Sequence, residues 1–185
     1  MEISEEKIEK LEALAFLVAV IDGITTREID ELRILARDIR AYYPLRKAIE
    51  VHEKTGDIEK AMTHVKERPR PMNSMTVQAK GTKTSLPEHI GKILDELDDA
   101  VKDSENQIVE YDALLKIKAA EINEEFDQKI SLLFIEEAIS EGDGMHDAEE
   151  HALGTLSRAW GITMDQVYEW DRDHFYPVLE RASEL

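Results

Sequence analysis

The sequence predicts an all-α protein made of two similar helix hairpins, on three observations. Glycine and proline are scarce, eight and five in 185 residues, while Leu, Ala, Glu, Lys and Ile dominate; this suits helices and is too poor in turn residues for a β-sandwich or barrel. Apolar residues recur at steps of three and four, the period of a helix with one buried face. The chain also matches itself at an offset of 121 positions. Asp22, Gly23, Glu28, Leu32, Leu35 and Arg37 fall on Asp143, Gly144, Glu149, Leu153, Leu156 and Arg158, six of the nineteen positions from Asp22 to Arg40. A repeat at that spacing implies two equivalent helix–turn–helix units.

The elements follow in order. From Ser4 onward Leu11, Leu14, Leu17, Val18 and Ile21, with the alanines between them, leave almost no polar face, which predicts a helix at the centre of a bundle. Asp22-Gly23 ends it, and Thr25 with Glu28 forms a capping box for the next. That helix turns Ile29, Leu32, Leu35, Ala36, Ile39 and Tyr43 inward and stops before Pro44. A third runs from Pro44 to Thr55 and ends at Gly56; Asp57 caps a fourth ending near Glu67. Arg68 to Leu86 has no periodicity and carries Arg68, Arg70, Lys80 and Lys83 with no acidic residue, so it reads as a basic loop insertion. It has two readings, a docking strip for an anionic partner or an insertion drawn weakly to the chain's own acidic surface. Ser85 and Glu88 open a helix whose stripe, Ile90, Ile93, Leu94, Leu97 and Val101, continues in phase through Ile108, Tyr111, Leu115, Ala119, Ile122 and Phe126. One unbroken helix of that length exceeds the ordinary globular range, so breaks are expected, with Ser104 and Asn123 as caps. Ile130–Ile139 is the second apolar helix, Asp143-Gly144 its turn, and His146–Trp160 its partner, stopped at Gly161. Thr163 with Gln166 caps a last short helix, and Tyr168–Leu185 reads as an aromatic, acidic tail.

Composition bounds the function. With 42% hydrophobic residues the chain buries one sizeable core, and a single domain over 1–185 is expected. There is no cysteine, hence no disulfide framework and no thiolate metal site. The longest apolar stretch, Leu11–Ile21 around Glu12, is about half of a membrane span. Glu2, Glu5, Glu6 and Glu9 precede it where a signal peptide would be basic, so a cytoplasmic protein without membrane insertion is expected. A formal net charge of −18 repels nucleic acid and anionic lipid. Cations and basic proteins remain as partners. The charge is uneven: Glu121 to Glu150 holds eleven acidic side chains against Lys129 alone, a net of −10. Such a run reads either as a solvated face or as a cation site.

The repeated turn has two readings as well. Aspartate, glycine and a third-position glutamate make good helix turns and caps by themselves. A calcium loop of the EF-hand kind is excluded, because with Gly23 or Gly144 at its sixth position the leading ligand falls on Val18 or Ile139. The second copy is richer, with Glu141, Asp143, His146, Asp147, Glu149, Glu150 and His151 in eleven residues. His146 and Glu150 share one helix face, as do Asp147 and His151, and imidazole with carboxylate at that spacing can hold a divalent metal. The candidate metal residues are Asp22, Glu28, Asp143, His146, Glu149 and Glu150, with calcium or zinc as the ion.

An apolar helix, then Asp-Gly, a hydrophobic residue, a capping residue and glutamate, then an amphipathic helix, all occurring twice, resembles the TerB family of tellurite-resistance proteins and the related domain of the DnaJ-like protein DjlA. The likeness covers Leu11–Tyr43 and Phe126–Val167 and is closest from Ile130 to Thr163. It implies an all-helical domain of two pseudo-symmetric halves, at work in the stress response to tellurite, with membrane and metal-binding partners and without an established reaction. Asp22, Glu28, Asp143 and Glu149 are its motif residues here. Lys54-Thr55-Gly56-Asp57-Ile58-Glu59-Lys60-Ala61-Met62 is also similar to the turn of a tetratricopeptide repeat, but a single repeat buries no core.

The chain has no phosphate-binding glycine loop, no Gly-x-Ser-x-Gly elbow and no His-Glu-x-x-His pair. The expected function is therefore a non-enzymatic stress-response interaction module, binding a divalent cation through its acidic turns. Its partners would be basic or membrane-associated proteins, or a second copy of the chain. The alternative is a metal-dependent hydrolase using the cluster Asp143–His151, with Asp143, His146 and Glu150 on the ion.

Overall fold

In a computed structural model the described residues are 4–21, 35–69, 87–141 and 146–185, and every regular element among them is helical. The helices are α1 (Glu5–Ala19), α2 (35–42), α3 (Arg46–Thr55), α4 (Ile58–Met62), α5 (Glu88–Val101), α6 (Gln107–Ala120), α7 (Glu125–Glu141), α8 (Asp147–Trp160), α9 (Met164–Trp170) and α10 (Tyr176–Ser183). A 3₁₀ turn, Tyr43–Leu45, joins α2 to α3, and a π-helical turn, Asp171–Phe175, joins α9 to α10.

Ser4 starts α1 by accepting the Lys7 backbone N–H on its hydroxyl at 3.3 Å, with Glu5 and Glu6 at the positive end of the helix dipole. Ile8, Leu11, Leu14, Phe16, Leu17 and Val18 are each 1% exposed or less. α5, α6, α7 and α8 all pack on α1, which is the central position its apolar circumference predicts. Near its end the buried Tyr111 hydroxyl donates to the Leu17 carbonyl, one of the carbonyls a helix terminus leaves open. Burial pushes the Tyr111 phenol far above its ordinary pKa, so it stays a donor. Residues 22–34, which hold the Asp22-Gly23 turn and the Thr25–Glu28 box, lie outside the described residues, and with them the overlay of the two hairpins. α7 packs on α8, while 142–145 between them lie outside the described residues. Leu156 is buried on α8, and Leu35, its counterpart in the repeat, is buried on α2.

The expected turn between the third and fourth helices is present. Gly56 takes the left-handed conformation at φ 65°, and Asp57 accepts the Lys60 N–H at 3.0 Å. α4 ends at Met62, however, well before Glu67. Thr63 turns its hydroxyl onto the Lys60 carbonyl at 2.7 Å, and His64 and Val65 bond three residues back, which tightens the last turn and releases the chain. Of the basic insertion, Arg68 and Pro69 are described; 70–86 lie outside.

Both breaks expected after Val101 occur, with different caps. Asn106, not Ser104, caps α6 by accepting the Val109 N–H at 3.4 Å, while Ser104 accepts the Asn106 N–H. α7 begins at Glu125 rather than Ile130, and Gln128 donates its side-chain amide to the Ile122 carbonyl at 2.8 Å instead of Asn123 capping. α8 ends at Gly161, φ 67°, and the Thr163–Gln166 capping box opens α9. The expected tail is helix. Trp170, Phe175, Val178 and Ala182 are all buried, and the five-residue step from Trp170 to Phe175 is accommodated by a π turn in which Tyr176 N–H reaches the Asp171 carbonyl.

That turn completes an aromatic seam. Phe175 meets Trp170 at 5.5 Å between ring centroids, Tyr42 at 6.1 Å and Phe134 at 6.1 Å; Phe126 meets Tyr43 at 5.7 Å and Trp170 at 5.8 Å. The edge-to-face pairs among them suit the ring quadrupoles. The seam fixes α2, α7 and the 170–175 turn together, and the surface features below hang from it.

Candidate functional site

Of the residues predicted to hold a cation, Asp22, Glu28 and Asp143 lie outside the described residues, while His146, Glu149 and Glu150 sit at the start of α8. Glu149 is 5% exposed, and its carboxylate accepts the His146 backbone N–H at 3.0 Å. It therefore closes the helix end as a capping glutamate. His151 does not pair with Asp147 on its own helix; it meets the Asp112 carboxylate of α6 at 3.0 Å. His146 and Glu150 are exposed. Among the described residues no three histidine, aspartate or glutamate side chains converge as metal ligands. Glu149→Ala should cost about 1–2 kcal/mol. Urea unfolding reads this directly, and a variant as stable as the parent removes the capping account.

The acidic run 121–150 is also redistributed in space. Glu121 pairs with Lys118 at 3.4 Å, Glu125 with Lys129 at 2.8 Å, and Glu124 with Lys7 at 2.7 Å and Arg46 at 2.6 Å. Lys118 and Lys129 lie within four residues of their partners, whereas Lys7 and Arg46 reach the start of the run from distant parts of the chain. At the centre is Asp127, 2% exposed, whose Oδ2 lies 2.8 Å from Lys7 Nζ and whose Oδ1, without a hydrogen bond among the described residues, lies 3.8 Å from Arg46. Arg46 also bonds Glu50 at 2.7 Å and donates to the Tyr43 hydroxyl at 2.7 Å, a hydroxyl that Lys7 reaches at 3.1 Å. Its guanidinium lies over Tyr43 and Phe126. Burial by itself would lower the Lys7 pKa, but its bonds to Asp127, Glu124 and Tyr43 outweigh that and raise it. Hydrogen bonds from Lys7 and Arg46 hold the Glu124 carboxyl below the ordinary range.

Tyr43, Arg46 and Glu50 of this network also line a surface groove that composition does not announce. The groove, of about 850 Å³, is lined by residues of 40–50 and 63–69. Its apolar lining includes Pro44, Leu45, Val65 and Pro69. Two of its cations are engaged, Arg40 with Glu5 at 2.7 Å and Arg46 as above. Lys47, Lys66 and Arg68 are exposed, and among the described residues none has a carboxylate within ion-pair distance; Glu67 is the one acidic lining residue in the same state. The basic insertion expected from the sequence thus contributes Arg68 and Pro69 to a groove whose opposite side comes from α2 and α3.

No described protein family, curated protein or solved structure matches the chain.

Proposed function

We propose that the protein is a non-enzymatic interaction module of the TerB-like, stress-response kind, and that it receives its partner in the groove between residues 40–50 and 63–69. The observation that carries this reading is the grouping of Lys47, Lys66 and Arg68, without carboxylate partners among the described residues, around one groove. The chain carries 41 acidic side chains for 23 basic ones; other exposed cations such as Lys54, Lys102 and Lys116 also stand without an ion pair among the described residues, so what sets these three cations apart is that they share one groove. Three gathered on one feature hold a local positive potential against an acidic background, the arrangement that steers an oppositely charged partner to one place. The stress-response part of the reading is supported by the twofold Asp-Gly turn and its likeness to TerB.

Co-purification of the tagged chain from its own cells, before and after tellurite challenge, tests both parts. The Lys47→Glu/Lys66→Glu/Arg68→Glu variant is carried in parallel. A partner retained by the parent and lost by the variant is expected, with recovery that rises on challenge. A partner that ignores the charge reversal places the contact elsewhere, and recovery indifferent to tellurite removes the stress assignment.

A further inference from the structure

We infer that the groove takes an acidic, amphipathic peptide segment of a partner protein in extended form. This rests on the groove being the contact surface, and it names what fills it.

Three features of the groove select that chemistry. Its cations are separate point charges, Lys47 from α3 and Lys66 and Arg68 from the segment after α4, so they match carboxylates spaced along a chain better than one compact anion. Between them lie Pro44, Leu45, Val65 and Pro69, an apolar lining that rewards hydrophobic side chains set among those carboxylates. The backbone beyond Val65 is irregular, and among the described residues no acceptor takes the N–H groups of Lys66, Glu67 and Arg68. An extended segment laid along them gains main-chain hydrogen bonds in the manner of strand addition.

The rest of the surface decides against larger polyanions. The Debye length at physiological ionic strength is about 8 Å, so a narrow peptide feels chiefly the groove cations. A nucleic-acid strand or an anionic bilayer presents charge well beyond that distance and meets a protein of net charge −18. Those ligands are repelled at the rim while the peptide is attracted at the centre. Glu67 lines the same groove, and it penalises a segment with carboxylates at every position relative to one with neutral, apolar residues between them.

The test is fluorescence anisotropy on the purified full chain with four labelled probes. They are a peptide alternating Asp or Glu with Leu or Phe, an oligoglutamate of equal length, a single-stranded oligonucleotide, and phosphatidylserine vesicles. The variants are Lys47→Glu/Lys66→Glu/Arg68→Glu and, as a control with the same change in net charge at exposed positions outside the groove, Lys54→Glu/Lys102→Glu/Lys116→Glu. The alternating peptide should bind saturably at one site and weaken by roughly tenfold or more in the groove variant, but far less in the control. Oligoglutamate should bind more weakly than the alternating peptide. Equal weakening in both variants, or no saturable binding, overturns the inference together with the groove. Tighter binding of oligonucleotide, vesicles or oligoglutamate, still lost in the groove variant, keeps the groove and overturns its peptide occupant. Sedimentation of the chain alone supplies the remaining outcome. A dimer that becomes monomer in the groove variant gives the groove to a second copy of this chain and overturns the inference.

Discussion

Lys7→Met should lower folding stability by about 3–5 kcal/mol, seen as a fall in thermal midpoint of roughly 6–20 °C for a domain of this size. Methionine keeps the aliphatic length of the lysine stem, so the change removes charge and donors more than packing. What it leaves is Asp127, 2% exposed, facing Arg46 at 3.8 Å with no hydrogen bond to Oδ1 among the described residues. An uncompensated buried carboxylate costs more than an intact pair contributes, which is why removing one partner has the larger effect. The pH dependence gives the origin away. In the parent, Lys7 and Arg46 hold Glu124 below the ordinary carboxylate range. That contribution is present above the unfolded-state pKa and is lost as pH falls through the folded one. Lys7 itself is raised, so its contribution is whole below its ordinary pKa and fades only in strong alkali. The parent therefore loses stability through roughly pH 5 to 3, whereas the variant, whose Glu124 has lost one of the two cations that hold its carboxyl low, loses less. Parallel pH profiles, or a variant within about 1 kcal/mol of the parent at neutral pH, would sink the account.

The parts of the fold that were legible in the sequence are those decided within a few residues. Gly56 with Asp57, Gly161, and Thr163 with Gln166 act through groups three or four positions away, so chemistry and spacing suffice to place them. The enclosed position of α1 was legible for a related reason, since a helix without a polar face has nowhere else to go. Other boundaries depended on competition. Ser104 and Asn106 both offer a capping oxygen, and the choice fell on Asn106 because its side chain reaches Val109 while the serine reaches only Asn106 itself. The C-terminal segment was misread because its apolar residues break step. A three-to-four period does not connect Trp170 to Phe175, and only the i→i+5 bond makes the step helical.

The surface was less legible because its partners are remote. His151 and Asp112 are 39 residues apart, and Lys7 and Glu124 are 117 apart. Of the residues from Asp143 to His151, His151 is drawn to Asp112 of a different helix, which its sequence neighbours do not announce, and Asp143 lies outside the described residues. Glu149, which looked like a ligand and like a cap, accepts its hydrogen bond from its own helix start. The groove has the converse history. Residues 40–50 and 63–69 are each of mixed charge, and only their meeting, with Arg46 drawn back into the Glu50 and Glu124 bonds, leaves Lys47, Lys66 and Arg68 facing one space. The signal available beforehand was the basic stretch that opens with Arg68-Pro69, which marks one side of it.

Phe175→Ala should cost about 3–5 kcal/mol. The ring is 4% exposed and meets Trp170, Tyr42 and Phe134 at 5.5, 6.1 and 6.1 Å. Its loss opens a cavity where α2, α7 and the π turn converge. Partial collapse of that cavity sets where in the range the cost falls. The same geometry predicts coupling. Phe134 and Phe175 pack edge to face, so the Phe134→Ala/Phe175→Ala double variant should lose less than the two single losses combined, by an amount in the range of about 0.5–3 kcal/mol for residues in contact. The π turn supplies a second readout. A wide turn lacks the regular i→i+4 ladder and persists only because it places both Trp170 and Phe175 inward. Without the Phe175 ring that reason is gone, and amide exchange across 171–176 should quicken more than in α8. Full additivity with Phe134→Ala, together with unchanged exchange at the turn, would show that the seam does not hold the π turn in place.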